Sequence, residues 1–376
     1  MKGMTILYIS IAILVTGLGL GLGLGLGLNS DNKSENKSEN KSNSYLKNII
    51  NDLDHNYVKN IKKLINPLSI YVLSDYYFGL ELENYFKNDV DIKNLSLSKN
   101  IYLYRSLLDK IEDYNIIAIQ GGWSVPPDQD NCNFYDDFIQ NILPKINKKI
   151  ILIIGHHTIG YFIEEQEHGA NINKIINNNN VILCFLQNYG MVQRSLNIDK
   201  LKAFPYGLRP IEHGMNSYID TLKEYHSSNK IKNININHLN LGPNSTIRKI
   251  FPKKKKIPPN LFYKKVYDSK FLLSPIGDRW DTYRNYECIG LETIPICTQG
   301  CLSLIFNDSM LYVNEKINET YDISINDNDD MIKKNEYMVH LYDKQNTIIY
   351  KKPNCDLITT EYWNDYITNI INKYKS

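Results

Sequence analysis

One segment constrains the architecture more than any other: SKFLLSPIGDRWDTYRNYECIGLETIPIC, residues 269–297. Phe271, Leu272 and Leu273 make an apolar run of strand type, a Ser-Pro-x-Gly turn follows, and Ile294-Pro295-Ile296-Cys297 make a second such run. Between them Asp281, Arg284 and Glu287 recur every three residues, which on a helix sets an acid, a base and an acid along one side. Strand, glycine turn, helix and strand is the unit from which an open α/β sheet builds a crevice for phosphate. A cation for a diphosphate and a carboxylate for hydroxyl groups then stand in the same crevice.

The alternation recurs upstream. Residues 70–73, 116–120, 150–154 and 181–186 are short aliphatic runs, separated by helical stretches such as 134–146 and 159–166. Buried runs of β-branched and aliphatic residues spaced by helices indicate a parallel sheet. Residues 45–205 therefore read as one Rossmann-like domain. The sequence Phe204-Pro205-Tyr206-Gly207-Leu208-Arg209-Pro210 reads as a connector, since two prolines and a glycine interrupt regular structure. Residues 211–265 look polar and irregular. A second sheet is expected at 271–273, 294–297 and 310–313, within a C-terminal domain spanning 206–376 whose last helix, 361–374, packs back on the body. The expected fold class is α/β, with two facing Rossmann-like domains and a cleft between them.

The N-terminus is of another kind. After the short tail 1–4, residues 5–28 carry no charge. At about 1.5 Å per residue they are long enough to cross a bilayer core of roughly 30 Å. An uncleaved signal anchor is the preferred reading; a cleaved signal peptide, whose apolar core is usually shorter, is the alternative. Residues 29–44 (NSDNKSENKSENKSNS) hold no large apolar side chain and are expected to form a flexible stem. Sequons at Asn32, Asn36 and Asn40, with others at Asn94, Asn244, Asn307 and Asn318, fit a lumenal or extracytoplasmic body.

A net charge of +2 gives no reason to expect nucleic acid as a partner. The run Lys253-Lys254-Lys255-Lys256 lies between Pro252 and Pro258 and reads as a solvated loop, with polyanion contact as the sharper alternative. Six cysteines contain no C-x-x-C pair, and several stand inside apolar runs, where cysteine is a small buried hydrophobe.

Each candidate site residue has a structural alternative. Asp281 is either the helix N-cap or a donor-side ligand. Arg284 and Glu287 are either a surface ion pair or a clamp, the guanidinium on a diphosphate and the carboxylate on ribose or sugar hydroxyls. Ser274 and Gly277 belong to the same turn, where a glycine lets backbone amides approach an anion. Toward the N-terminus, Gly121, Gly122 and Trp123 follow the run 116–120 and form the acceptor-side candidate, Trp123 stacking on a sugar or packing in its loop. His156 and His157 follow the next run and, with Asp137, are candidate general bases; Asp136 and Glu164 compete for that role. Asp128-Gln129-Asp130 and Asp327-Asn328-Asp329 have the spacing of a metal clamp but lie in polar loops, so no metal site is assigned.

Ser269-Lys270-Phe271, Pro275, Gly277, Asp281, Arg284, Tyr286-Glu287 and Ile294-Pro295 closely resemble the nucleotide-binding half of the exostosin-like glycosyltransferase family. A second stretch, Phe185-Leu186-Gln187-Asn188-Tyr189 followed by Lys202 and Phe204-Pro205-Tyr206-Gly207-Leu208, resembles the segment that joins the two domains in related enzymes. The resemblance implies the GT-B architecture, with a nucleotide sugar, a UDP-sugar by preference, bound by the C-terminal domain. It also implies type II membrane topology with the catalytic part in the ER or Golgi lumen, and transfer of a sugar to a glycan or glycoprotein acceptor. No cofactor is required, because the nucleotide sugar is a substrate; a divalent metal is compatible but not indicated. Three departures stand out: Leu291-Glu292-Thr293 where the family often has Leu-Gly-Cys, Cys288 in place of the usual alanine, and Arg279 in a turn that often has a second glycine. They leave open a second reading, a sugar- or nucleotide-binding membrane protein without turnover, and a third, a structural surface glycoprotein.

Overall fold

Two four-stranded sheets, each parallel throughout, organise the chain. They are seen in a computed structural model that describes residues 44–66, 69, 108–120, 138–155, 169–187, 199–208, 214–228, 231–237, 256–275, 281–298, 303–306, 309–313 and 350–375. All of these lie in one unit, Lys41–Ser376. The apolar stretch 5–28 and the stem up to residue 43 lie outside the described residues. Among the described residues no helix is long and apolar enough to cross a membrane.

Helices α1 (Ser44–Ile49) and α2 (Tyr57–Ile61) precede the first sheet. That sheet contains β1 (Asn115–Gln120), β2 (Ile150–Gly155), β3 (Val181–Gln187) and β4 (Leu201–Phe204), in that spatial order. Every residue of β2 is buried, as an unbroken aliphatic run at the centre of a sheet requires. A π-helical turn at Phe138–Ile142 and a 3-10 turn at Leu143–Lys145 lead into β2, and α3 (Gly169–Asn177) leads into β3. The expected helix over 134–146 is thus present in its described part, though not as a regular α-helix. The expected strand at 70–73 and helix at 159–166 lie outside the described residues.

Residues 211–265 depart from expectation. Their described parts contain α4 (Met215–His226), β5 (Ile234–Asn237) and the start of α5 (Pro259–Tyr267). In α4 the buried residues Met215, Tyr218, Ile219, Leu222 and Tyr225 follow helical spacing, while the intervening polar residues mask it in the sequence. Pro259 occupies the first turn of α5, where its missing N–H costs nothing. Leu201–Phe204 also departs from expectation: within the presumed joining segment it forms strand β4, paired with β3 from Cys184↔Leu201 to Gln187↔Phe204.

The second sheet runs β5, β6 (Ser269–Leu273), β7 (Ile294–Thr298) and β8 (Leu311–Val313). Helix α6 (Tyr283–Gly290) connects β6 to β7, and α7 (Ser303–Phe306) lies between β7 and β8. A 3-10 turn at Cys355–Ile358 leads into α8 (Thr360–Lys375), the C-terminal helix expected from the sequence.

The two ends of the described chain meet. The Leu46 amide donates to Asp356 Oδ1 at 2.9 Å. Ile65 N–H donates to Ile358 O at 2.9 Å and Thr360 N–H to Lys63 O at 3.0 Å. From there α8 reaches the first sheet: Tyr366 packs edge-on against Phe185 of β3 at 6.4 Å, and the Tyr374 hydroxyl lies 3.2 Å from Asp199 O.

Candidate functional site

The two strands and the helix of the unit read from residues 269–297 are present, with β6 and β7 adjacent and parallel. Ser274 immediately follows β6. Its amide donates to Ile296 O at 2.8 Å, which extends the ladder by one bond. Its hydroxyl donates to Asn285 Oδ1 at 2.7 Å and lies 3.4 Å from Thr282 Oγ1. The end of β6 is thereby fastened to the first turn of α6. Gly277 lies outside the described residues, in the stretch between Pro275 and Asp281.

Asp281 is not the N-cap of α6. Thr282 holds that position, in extended conformation (φ −128°, ψ 148°) and without a side-chain cap bond. The Asp281 carboxylate, 4% exposed, turns instead toward the segment after β4. Its Oδ2 accepts from the Tyr206 amide at 2.7 Å and from the Tyr286 hydroxyl, and its Oδ1 lies 3.4 Å from Asn285 Nδ2. Charged acceptors make the stronger hydrogen bonds, and a desolvated carboxylate needs several. Next to this cluster the Tyr283 ring lies 4.8 Å from that of Tyr206, and the Tyr283 hydroxyl donates to the Tyr206 hydroxyl at 3.1 Å.

Arg284 and Glu287 face another neighbour, α5. The half-buried Arg284 guanidinium lies 5.2 Å from the centre of the Phe262 ring, within cation–π range. Glu287 is 6% exposed and its Oε1 accepts from the Tyr263 hydroxyl at 3.1 Å. Asp281, ahead of the helix, thus faces one neighbour, and Arg284 with Glu287 on the helix face another. The i, i+3 spacing from Arg284 to Glu287 does bring that base and acid to a common face.

Two of the three departures from the family pattern, Glu292 and Cys288, have local explanations; Arg279 lies outside the described residues. Glu292 has φ 57°, the left-handed conformation that glycine adopts without penalty, just past the end of α6. Its carboxylate meets Lys352 Nζ at 3.0 Å, and its carbonyl accepts from the Tyr350 hydroxyl at 2.5 Å. Cys288 is fully buried against the core, and burial pushes its thiol well above the ordinary range, so it is an inert packing residue.

No family model matches the chain. No curated protein matches it either. Among solved structures, OtsA in its apo form is similar with a TM-score of 0.37 and 11% sequence identity, over 73% of this chain and 77% of that one. A TM-score that low leaves fold and site to be argued from this chain's own residues.

The remaining candidates, Gly121, Gly122, Trp123, His156, His157 and Asp137, lie outside the described residues. The strands that precede them are described: β1 ends at Gln120 and β2 at Gly155, and these two residues are partners in the ladder. Among the described residues no group of three or more His, Cys, Asp or Glu could hold a metal ion.

Sequence reasoning missed Lys232. Its ammonium is buried and donates to Tyr267 O, to Leu291 O at 3.0 Å and to Thr293 Oγ1 at 3.2 Å. It thus joins the C-terminal ends of α5 and α6 to the start of β7. Desolvation lowers its pKa to about 8. Gln187 and Tyr263 were missed as well; only Gln187 carried a signal, as part of the joining-segment motif.

Proposed function

We propose that this chain is a membrane-anchored glycosyltransferase of GT-B-like, two-domain build. It transfers a sugar from a nucleotide diphosphate donor, a UDP-sugar, to a glycan or glycoprotein acceptor in an extracytoplasmic compartment. The observation that carries the proposal is Arg284. It stands in the first turn of α6, beside the stretch that follows a parallel strand, inside a motif resembling the nucleotide-binding half of exostosin-like enzymes. Ligands of open α/β sheets bind outside the carboxyl ends of the strands, and helix N-termini favour anions.

In this reading Arg284 holds the diphosphate with paired N–H groups, and Gly277 allows the backbone close to it. Glu287, kept in place by Tyr263, accepts hydrogen bonds from ribose or sugar hydroxyls. Ser274 and Asp281 fix the two ends of the turn between them. The anomeric carbon gains oxocarbenium character as the diphosphate departs. Arg284 and the α6 amides stabilise the negative charge that develops on the leaving group. Trp123, with Gly121 and Gly122, receives the acceptor. His156, His157 or Asp137 takes the acceptor's proton. No cofactor enters the reaction.

The test uses the full chain in mild detergent, titrated with UDP and a panel of nucleotide sugars. A binder at about 100 times its Kd should stabilise the fold by about 2.7 kcal/mol and raise the unfolding midpoint. Arg284→Ala should abolish the rise and leave the unliganded midpoint within a few degrees. Absence of any rise with every nucleotide sinks the proposal; binding with neither transfer nor donor hydrolysis favours the binding protein without turnover.

A further inference from the structure

The peptide plane between Pro205 and Tyr206 is held from two directions. Its carbonyl, Pro205 O, accepts from Gln187 Nε2 at 2.8 Å. Its amide, Tyr206 N–H, donates to Asp281 Oδ2 at 2.7 Å. Gln187 is the last residue of β3, in the first sheet, and is fully buried. Asp281 immediately precedes Thr282, the cap of α6, and α6 lies between strands of the second sheet. A buried amide side chain from one sheet and a buried carboxylate next to the other thus grip the two opposite edges of one rigid peptide group.

The surroundings reinforce this grip. Tyr286, one turn into α6, contributes its hydroxyl to the same Oδ2 and lies 3.0 Å from the Tyr206 amide. Asn285 connects Asp281 to Ser274 at the end of β6. Just beyond, Gly207 has φ 91°, and a Cβ there would lie 2.5 Å from Ile65 O, so only glycine allows the chain to pass so close to residues 65–66.

We infer that Gln187 and Asp281 form a two-sided pin on the Pro205–Tyr206 peptide that registers the first sheet against α6, and that Asp281 is a positioning residue and not a ligand of the donor. The inference deepens the proposed function and rests on it only for what the pin positions, namely Arg284 relative to the acceptor side. The four residues come from the two stretches of sequence that carry the family resemblance, and the pin is where those stretches meet.

Hydrogen exchange at the Tyr206 amide of the full chain, resolved by mass spectrometry with fragmentation, tests the pin without any nucleotide. Asp281→Ala and Gln187→Met should each speed exchange at this amide at least tenfold, and together no more than the larger of the two. Asp281→Asn, whose side-chain oxygen still accepts, should restore most of the protection. Unchanged exchange in Asp281→Ala, or multiplying effects in the double variant, would overturn the pin; Gln187→Met and Asp281→Asn decide the matter if Asp281→Ala does not fold. A second measurement titrates UDP. A folded Asp281→Asn that binds UDP within threefold of the parent supports positioning, whereas a loss beyond thirtyfold makes Asp281 a donor ligand and refutes the inference. If the parent itself binds no nucleotide, the proposed function fails while the exchange experiment still decides whether the pin exists.

Discussion

Lys232 and Glu292 show how single side chains in this protein solve problems set by their neighbours. Lys232 carries its charge into a buried site because two carbonyls and a hydroxyl are available to receive it. Burial nevertheless favours the neutral amine, and its pKa falls from the ordinary 10.5 to about 8. Between these values the unfolded chain binds a proton that the folded one has released, so stability rises with pH across this window. Below pH 8 both states are protonated and this dependence vanishes. The unfolding free energy of the parent should therefore gain about 3 kcal/mol relative to Lys232→Met between pH 8 and 10.5. Denaturant titrations of both proteins at several pH values measure the difference, and parallel curves would refute it. Glu292 solves another problem. A non-glycine residue at φ 57° carries a cost of roughly 1 kcal/mol. The contact with Lys352, itself 58% exposed, offsets only part of this. The carboxylate that stands out in the sequence as a departure from the family pattern is occupied by a lysine from the C-terminal segment.

Helix α6 is the element on which the other parts converge. Its start meets the segment after β4, its middle meets α5, and its end meets α4 and the turn Cys355–Ile358. At that end Gly290 is enclosed: an added Cβ would lie 2.2 Å from the Tyr218 hydroxyl and 2.5 Å from Ile358 Cδ1. Gly290→Ala should cost about 1–3 kcal/mol through overpacking, despite alanine's better helix propensity. Thermal or denaturant unfolding checks this, and a stabilised variant would mean that the contact is not as close as described. The sequence made α6 legible because β6 and β7 are apolar, short and bounded by proline and glycine. It also gave β1, β2, β3 and α8, whose aliphatic or aromatic spacing is plain. It concealed α4, β5 and α5, because the Asn, Lys and Ser interspersed in their sequences dilute the periodicity. The role of Asp281 was concealed for another reason. Its partner Tyr206 is 75 residues away, and spacing along one helix says nothing about what stands opposite it. Arg284 and Glu287 were legible as a pair on one face, but Phe262 and Tyr263, which that face meets, belong to a helix the sequence did not reveal.

The molecule as a whole depends on helix α8. Trp363, Ile367 and Ile371 of α8 are buried, and Trp363 also packs against Phe306 and Tyr366. Burying a large apolar side chain is worth about 1.5–3 kcal/mol, so these three together contribute about 5–9 kcal/mol. That is comparable to the entire stability of an ordinary domain, about 5–15 kcal/mol. A chain ending after Thr359 should therefore lose cooperative unfolding, visible as a broad, low-amplitude calorimetric transition. A sharp transition at the parent's midpoint would show that α8 is dispensable.

The bond from the Leu46 amide to Asp356 spans 310 positions of sequence. Ribosomes deliver a polypeptide in one direction, so helix α1 emerges long before Asp356 and Asp365, the carboxylates to which Leu46 and Tyr45 donate, have been synthesised. Docking of α1 is consequently a late event of folding, one that waits for the segment around Asp356.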